Sequence, residues 1–180
     1  MLYPIKSTRM DELARFLAEA TENGGSTRDK RNTPYFWQGG AAGAGQDWNE
    51  PLNWANRKVP GWFDTVVIDR DYVRSDQFPL IDEFASDVAQ VILHSGTTLH
   101  IGPQGKICID GLNRYPCGII NHGDLVIDGE LTVLRTTSVA IRNLHYLLNN
   151  GSLAVDKKEH LAIIHGNNAI FENYGELLFF

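Results

Sequence analysis

Carboxylates recur at a fixed distance after glycine in a phrase that this chain repeats. Three copies carry one, namely Asp110 after Gly105, Asp128 after Gly123 and Asp156 after Gly151. If the copies stack on successive turns of a coil, the carboxylates lie about 4.8 Å apart, the spacing of paired strands. Such pairs could act as acid and base in glycoside cleavage, or could bind Ca²⁺ through several oxygen ligands. A simpler interpretation is turn formation, because Asp110 and Asp128 each precede a glycine.

The four tryptophans form the second group of candidates, and all of them lie between residues 37 and 62. Large aromatic rings could pack an irregular first layer of the fold. Alternatively, one or two of them could lie exposed and stack on sugar rings. Trp48 and Trp62 are the candidates for exposure. Together with the three aspartates they make up the predicted ligand-binding residues, which are Trp48, Trp62, Asp110, Asp128 and Asp156.

Other chemistry-bearing residues show no catalytic or metal-binding pattern. The six histidines are scattered outside any metal motif, although His94 and His122 fall near a repeat corner and could stack. No phosphate loop, dinucleotide fingerprint or nucleophile elbow is present. We therefore predict no catalytic residue and no metal ligand, with Ca²⁺ as the one cofactor left open. Cys108 should point away from the core between two inward isoleucines, which favours unpaired cysteines over a disulfide to Cys117.

The repeated phrase itself predicts the fold. Its main glycines, Gly96, Gly123, Gly151 and Gly175, recur at similar intervals along the chain, with a weaker copy at Gly105. Alternating apolar residues follow each glycine, which indicates a strand with one buried face that begins after a turn. A strand repeat of this length without a helix is typical of a solenoid. We predict a mainly β protein, a single-stranded parallel β-helix (solenoid) of about 4–5 turns.

Asparagines precede the glycines in several copies. They are Asn121, Asn149, Asn150 and Asn173. Stacked asparagine amides hydrogen-bond along the axis of a solenoid and satisfy the backbone of its turns. The sequence therefore predicts an asparagine ladder at the corner of the coil.

The N-terminal part has the pattern of an amphipathic helix over residues 9–23. Its apolar stripe contains Met10, Leu13, Phe16 and Leu17, and Gly24 and Gly25 end it. Such a helix could cover the open end of a β-helix, or could dock on a partner. A polar linker follows. We predict an N-terminal helix and linker over 1–33, then a β-helix domain over 34–180 with an aromatic, glycine-rich lead-in segment at 34–64.

The lead-in segment carries a family resemblance. It reads Trp37-Gln38-Gly39-Gly40, then Asp47-Trp48, Asn53-Trp54 and Val59-Pro60-Gly61, and leads into Asp64-Thr65-Val66-Val67-Ile68. This order resembles the opening of pectin-lyase-like right-handed parallel β-helix proteins of bacterial surfaces and phage tails. The resemblance implies a right-handed coil, but it implies little about function, because such coils include adhesins, enzymes and tail proteins.

Composition and charge exclude several functional classes. A net charge of −6 disfavours nucleic acid as a main partner. An apolar content of 43% excludes wholesale disorder. No run of apolar residues is long enough to span a membrane, and no signal peptide is recognised at the N-terminus. The cellular address stays open between the cytoplasm, export by another route and membership of a larger particle.

The last residues point towards association. Leu177, Leu178, Phe179 and Phe180 should expose a strand edge and aromatic side chains. A homotrimer or stacking in a fibre could bury them, or the chain could fold them back as its own plug. We expect a non-catalytic structural or attachment module on a phage particle, an injection device or a cell surface. The alternative is a carbohydrate-active protein that binds or cleaves polysaccharide on its outer face. A third interpretation is an intracellular scaffold that docks a partner on the 9–23 helix.

Overall fold

The computed structural model describes residues 34–74, 76–156 and 162–180. The predicted helix over 9–23, its docking residues and the linker lie outside the described residues. Among those that are described, no helix is long and apolar enough to cross a membrane.

Short strands dominate the described chain. One 3₁₀ helix occurs within it, at Pro51–Asn53, where the Glu50 side chain accepts a hydrogen bond from the Leu52 amide. The strands are β1 (Tyr35–Phe36), β2 (Thr65–Ile68), β3 (Leu80–Ile81), β4 (Gln90–Leu93), β5 (Thr98–Ile101), β6 (Lys106–Asp110), β7 (Cys117–Asn121), β8 (Asp124–Ile127), β9 (Glu130–Leu134), β10 (Val139–Asn143), β11 (Tyr146–Asn149), β12 (Ser152–Val155), β13 (Ile163–His165), β14 (Ile170–Asn173) and β15 (Glu176–Phe179).

These strands form three parallel sheets that the chain visits in rotation. The first sheet has the order β1-β2-β4-β7-β10-β13, the second β3-β5-β8-β11-β14 and the third β6-β9-β12-β15. Each strand pairs with the strand of the same sheet on the next turn. The predicted parallel β-helix is therefore confirmed, with about five turns.

Columns of apolar side chains fill the interior. In the first sheet Val66, Val91, Ile119 and Ile141 lie in register and are fully buried. The intervals between them along the sequence are unequal, because loops of different lengths join the strands. Strands β5, β8, β11 and β12 alternate between buried and half-buried residues, as a sheet with one core face requires.

The first sheet departs from that alternation at strands β2, β4 and β7, because both of its faces are buried there. A second apolar cluster lies on its other face and includes Val67, Ile92 and Ile120. Strands β2, β4 and β7 consequently read as continuous apolar runs, which is typical of parallel strands covered on both sides.

The predicted alignment of the glycine corners is confirmed for Gly105, Gly151 and Gly175 but is wrong for Gly96 and Gly123, because two different corners use the same local phrase. Gly105, Gly129, Gly151 and Gly175 form one column between the second and third sheets. Gly123 instead lies between the first and second sheets, in register with Thr97. Gly96 precedes Thr97 and so stands one position out of that register. A glycine or asparagine followed by an alternating strand occurs at both corners, so the phrase alone does not distinguish them.

The asparagines form two ladders, one at each of these corners. At the corner between the first and second sheets, the Asn121 Nδ2 donates to Asn143 Oδ1 at 2.9 Å. At the corner between the second and third sheets, the Asn149 Nδ2 donates to Asn173 Oδ1 at 2.6 Å. The predicted stacking is confirmed for these residues, but the single ladder is wrong. Asn150 stands apart, since it is exposed and donates to Asp128.

Three tryptophans close the N-terminal end of the coil. Trp37, Trp48 and Trp54 are fully buried, and the Trp54 ring meets the other two edge-on at 5.0 and 4.8 Å. The packing interpretation is confirmed for them. The predicted exposure of Trp48 is wrong, because the neighbouring indoles enclose its ring.

The cysteines are unpaired, as predicted. Cys108 is half-buried on β6 between the buried Ile107 and Ile109, and Cys117 is buried at the start of β7 in another sheet.

The glycine column generates a stability prediction. A Cβ atom at Gly129 would overlap the carbonyl oxygens of Gly105 and Gly102, which are backbone atoms of the preceding turn. We expect Gly129→Ala to lower the free energy of unfolding by about 1–3 kcal/mol, because adjacent turns must separate. Urea denaturation followed by circular dichroism measures this change.

Gly61→Ala is the matched control. The nearest atom to a Cβ at Gly61 is 3.9 Å away, an ordinary contact. Equal effects of the two substitutions would contradict a requirement for close approach at the corner.

Candidate functional site

The predicted ladder of aspartates is wrong. Asp110 pairs in register with Leu134, and Asp156 follows Val155, which pairs with Val133. Asp110 and Asp156 therefore lie two turns apart with Leu134 between them. The ladder failed because Gly123 lies at a different corner, which removes Asp128, and because the turn between Asp110 and Asp156 carries Leu134 at this position.

Asp128 lies elsewhere, at the corner between the second and third sheets. There its carboxylate contacts His100 Nε2 at 2.7 Å and accepts from Asn150 Nδ2 at 2.8 Å. These two bonds, that from Asn150 first, lower the pKa of Asp128. Because it is separated from Asp110 and Asp156, the three carboxylates do not form one ligand set for Ca²⁺.

The structure brings two predicted site residues, Trp62 and Asp110, into direct contact. The Trp62 indole nitrogen donates to Asp110 Oδ2 at 3.1 Å. Arg135 binds the same carboxylate with Nε at 2.8 Å from Oδ1 and with Nη2 on Oδ2. The Leu112 amide donates to Oδ1 at 3.0 Å. A carboxylate accepts about four hydrogen bonds, so Asp110 is saturated.

Asp156 joins this cluster through the backbone of Arg135. Its Oδ2 accepts from the Arg135 amide at 3.3 Å. Arg135 has a left-handed backbone with φ of 49°, and Leu112 and Asn113 in the facing loop both have φ of 54°. The Asn113 amide donates to the Arg135 carbonyl at 2.7 Å, which ties the two strained segments together. Left-handed backbone in residues other than glycine is uncommon, and it is held here by several contacts.

Trp62 and Phe63 form an exposed aromatic pair at the tip of a tight turn. Asp64 closes the turn, because its carboxylate accepts from the Gly61 amide at 2.8 Å while its own amide donates to the Gly61 carbonyl. Trp62 is 50% exposed and Phe63 56%, and their near-parallel rings lie 5.7 Å apart. The Arg135 guanidinium stands 6.0 Å from the Trp62 ring centroid, at the outer limit of a cation–π contact.

The pKa values of the surrounding groups follow from this geometry. Burial alone would raise the pKa of Asp110, but the hydrogen bonds from Arg135, Leu112 and Trp62 outweigh it and lower the pKa. The pKa of Asp87 is raised by burial and by the neighbouring charge of Asp110. Burial, Asp87 and Asp110 also raise the pKa of the Cys108 thiol to about 11, so this thiol stays protonated at neutral pH and is a poor nucleophile.

The pKa of Asp110 is lowered while that of Asp87 is raised, and carboxyl pKa values that move apart are typical of an acid–base pair. Asp110 does not fit that role, because its side chain is only 5% exposed and its hydrogen-bonding capacity is filled. Its geometry suits the positioning of Trp62 and Arg135. The exposed rings of Trp62 and Phe63, rather than the buried carboxylate, are the part of this arrangement that a ligand could contact.

The histidine pair and a surface depression are weaker candidates for a binding site than the aromatic pair. His94 and His122 lie in register on adjacent turns, as the sequence suggested. Burial, His94 and Arg142 lower the pKa of His122. In the described ranges no group of three or more histidine, cysteine or acidic residues could hold a metal ion.

A shallow depression of about 390 Å³ beside Gln77 is lined mostly by small residues of the loop 41–47.

Sequence reasoning missed Phe63, Asp87 and Arg135. Phe63 carried a signal, because it adjoins a candidate tryptophan. Arg135 follows a strand end and shows no motif. A further signal was that Val91 and Ile119, which pair on adjacent turns, lie further apart in sequence than Ile119 and Ile141. The longer turn is extended at all three of its corners, and one of these is the loop 111–116 that supplies Leu112.

The fold defines this chain as a parallel β-solenoid protein. Comparisons with protein-family models, with curated proteins and with solved structures find no match. The resemblance of the lead-in segment to pectin-lyase-like proteins therefore stays a prediction.

The saturated carboxylate generates a pH-dependent prediction. Because its pKa is lowered on folding, Asp110 contributes stability that is fully present above its unfolded value of about 3.9 and is lost as the pH falls through the lower, folded value. We expect Asp110→Asn to lower the free energy of unfolding by about 1–3 kcal/mol at pH 7. The difference from wild type should shrink in acid, as urea denaturation at neutral and acidic pH measures.

Glu130→Gln provides the control, because Glu130 pairs with Lys106 at an exposed site. Its effect should stay below about 1 kcal/mol at either pH. A loss in Asp110→Asn that is equal at both pH values would contradict the assigned role of the carboxylate.

Proposed function

We propose that this β-solenoid is a non-catalytic structural or attachment module that joins a larger assembly through its last turn. The partner is a further copy of the same chain. The observation that carries this proposal is the open apolar interior of the turn formed by β13, β14 and β15.

Each of these three strands stands at the edge of its sheet. One turn earlier the inward residues Leu147, Leu153 and Val155 are fully buried. Their counterparts are Phe171 and Leu177, which are only partly buried, and Phe179, which is 51% exposed. The same interior columns thus reach an uncovered end among the described residues.

Exposed apolar side chains concentrate at this end. Five of the nine large exposed hydrophobic residues in the described ranges belong to residues 170–180, and they are Ile170, Tyr174, Leu178, Phe179 and Phe180. Parallel strand edges and exposed apolar side chains are both features that soluble proteins normally cover. The predicted oligomer-contact residues Leu177, Leu178, Phe179 and Phe180 all belong to this surface.

The two ends of the coil differ, which favours one mode of association. Buried tryptophans close the N-terminal end, where β1 has only two residues. A head-to-tail fibre needs two open ends, whereas a two-fold contact joins the same surface of two copies and is closed. We therefore favour a dimer through the last turn over the predicted fibre or trimer.

The larger setting is proposed from the resemblance of the lead-in segment to proteins of bacterial surfaces and phage tails. It is a phage particle, an injection device or a cell surface. The saturation of Asp110 supports a non-catalytic role, because it removes the best candidate for an acid or base.

The association is tested with Phe179→Asp. In a dimer the new carboxylate would be buried without a partner, which costs several kcal/mol, while in a monomer it stays half-exposed. We expect wild type to show a concentration-dependent dimer mass by size-exclusion chromatography with light scattering. The variant should raise the dissociation constant about 100-fold or more, since each 1.4 kcal/mol is tenfold.

Phe84→Asp is the matched control, because Phe84 is 69% exposed and lies beside Lys106, away from the last turn. It should leave the dimer intact. Wild-type protein that stays monomeric throughout the micromolar range would overturn the proposal, and a mass of three chains would overturn the two-fold contact.

A further inference from the structure

We propose that the aromatic pair, Trp62 and Phe63, is the binding site of a neutral saccharide. This inference goes beyond the assembly role, because the pair lies on turns far from the last one.

The exposed ring surface fits a sugar. Each ring keeps about half of its side chain accessible, and the two rings are only 18° from parallel. The face of an aromatic ring is negative, so it attracts the polarised C–H groups that line one face of a pyranose. Because the two rings stack on one another, the outer face of each is the area left for a sugar unit.

The Arg135 guanidinium beside the pair supplies hydrogen-bond donors. The two bonds from Arg135 to Asp110 use two of the five guanidinium N–H groups, and the Arg135 side chain is 45% exposed. An apolar surface with a few placed polar groups is the usual composition of a small-ligand site.

The site is held in shape before any ligand binds. The Trp62 indole N–H is anchored on Asp110, and Asp64 closes the turn that carries both rings. Arg135 is fixed by Asp110 through its side chain and by Asp156 through its backbone. Side chains that are already ordered lose little entropy on binding.

Charge selects the class of saccharide. Arg135 is the cation of the cluster and is already neutralised by Asp110, and the Asp156 carboxylate contacts the Arg135 backbone. The chain as a whole carries −6. An acidic saccharide would be repelled, so we infer a neutral one.

A protein partner fits this patch less well. Stable protein interfaces bury about 800 Å² on each side around an apolar centre. Here the apolar part is two half-exposed rings, and charged groups lie directly beside them.

Tryptophan fluorescence provides a selective readout. All four tryptophans lie in the described residues, and Trp62 is exposed while the other three are fully buried. Quenching by acrylamide therefore reports mainly on Trp62. The probes are cellohexaose, chitohexaose, laminarihexaose, xylohexaose and mannohexaose, with polygalacturonate as the acidic comparison, all added to the full chain.

We expect at least one neutral hexasaccharide to protect Trp62 from acrylamide saturably, and polygalacturonate to give no protection. By calorimetry, Trp62→Ala should abolish binding of that sugar and Phe63→Ala should weaken it about tenfold or more, which corresponds to 1.4 kcal/mol. Phe84→Ala removes an exposed ring about 13 Å along β6 from Asp110 and should leave binding unchanged. Phe179→Asp should also leave it unchanged, which separates this test from that of the dimer.

Three results would overturn the proposal. The first is that no neutral hexasaccharide protects Trp62 at millimolar concentration. The second is binding that persists in both Trp62→Ala and Phe63→Ala. The third is a change of oligomeric mass in Trp62→Ala without any saccharide binding, which would assign the rings to a protein contact.

Discussion

The stacking of each turn on its neighbours is the constraint on which this protein depends. A single turn has no core of its own, because its inward side chains are covered only by the turns before and after it. Ile119, for example, is buried between Val91 and Ile141, which belong to the adjacent turns of the same sheet. Every turn must therefore hold the register of the one beneath it. The glycine column and the two asparagine ladders make that register possible at the corners, where backbones approach most closely.

The candidate site arises where this regularity is broken. The loop 111–116 lengthens one turn, Arg135 turns its backbone into the left-handed region, and residues 61–64 make a separate tight turn before the first complete coil. Asp110 connects these three irregular segments with hydrogen bonds from Leu112, Arg135 and Trp62. The regular strands supply a rigid base, and the departures from it expose two aromatic rings.

The architecture was predictable from the sequence because alternation of apolar residues is a local property of each strand. The corners were not, since Gly123 and Gly151 begin similar phrases but belong to different corners, and only pairing between turns separates them. The tryptophans show the same limit. Trp48 and Trp62 look alike in sequence, yet one is enclosed by other indoles and the other faces solvent. Arg135 was invisible because its partner Asp110 is distant in sequence and no motif links them.

The modular build of the coil has a consequence for its evolution. The turns that begin at β10 and β13 each follow the previous one after the same interval in sequence, and their interior columns are made of similar aliphatic side chains. Duplication of such a unit would extend the rod by about 4.8 Å, one strand spacing, while each extremity would keep its own surface. The length of the coil can thus change by whole increments of one turn.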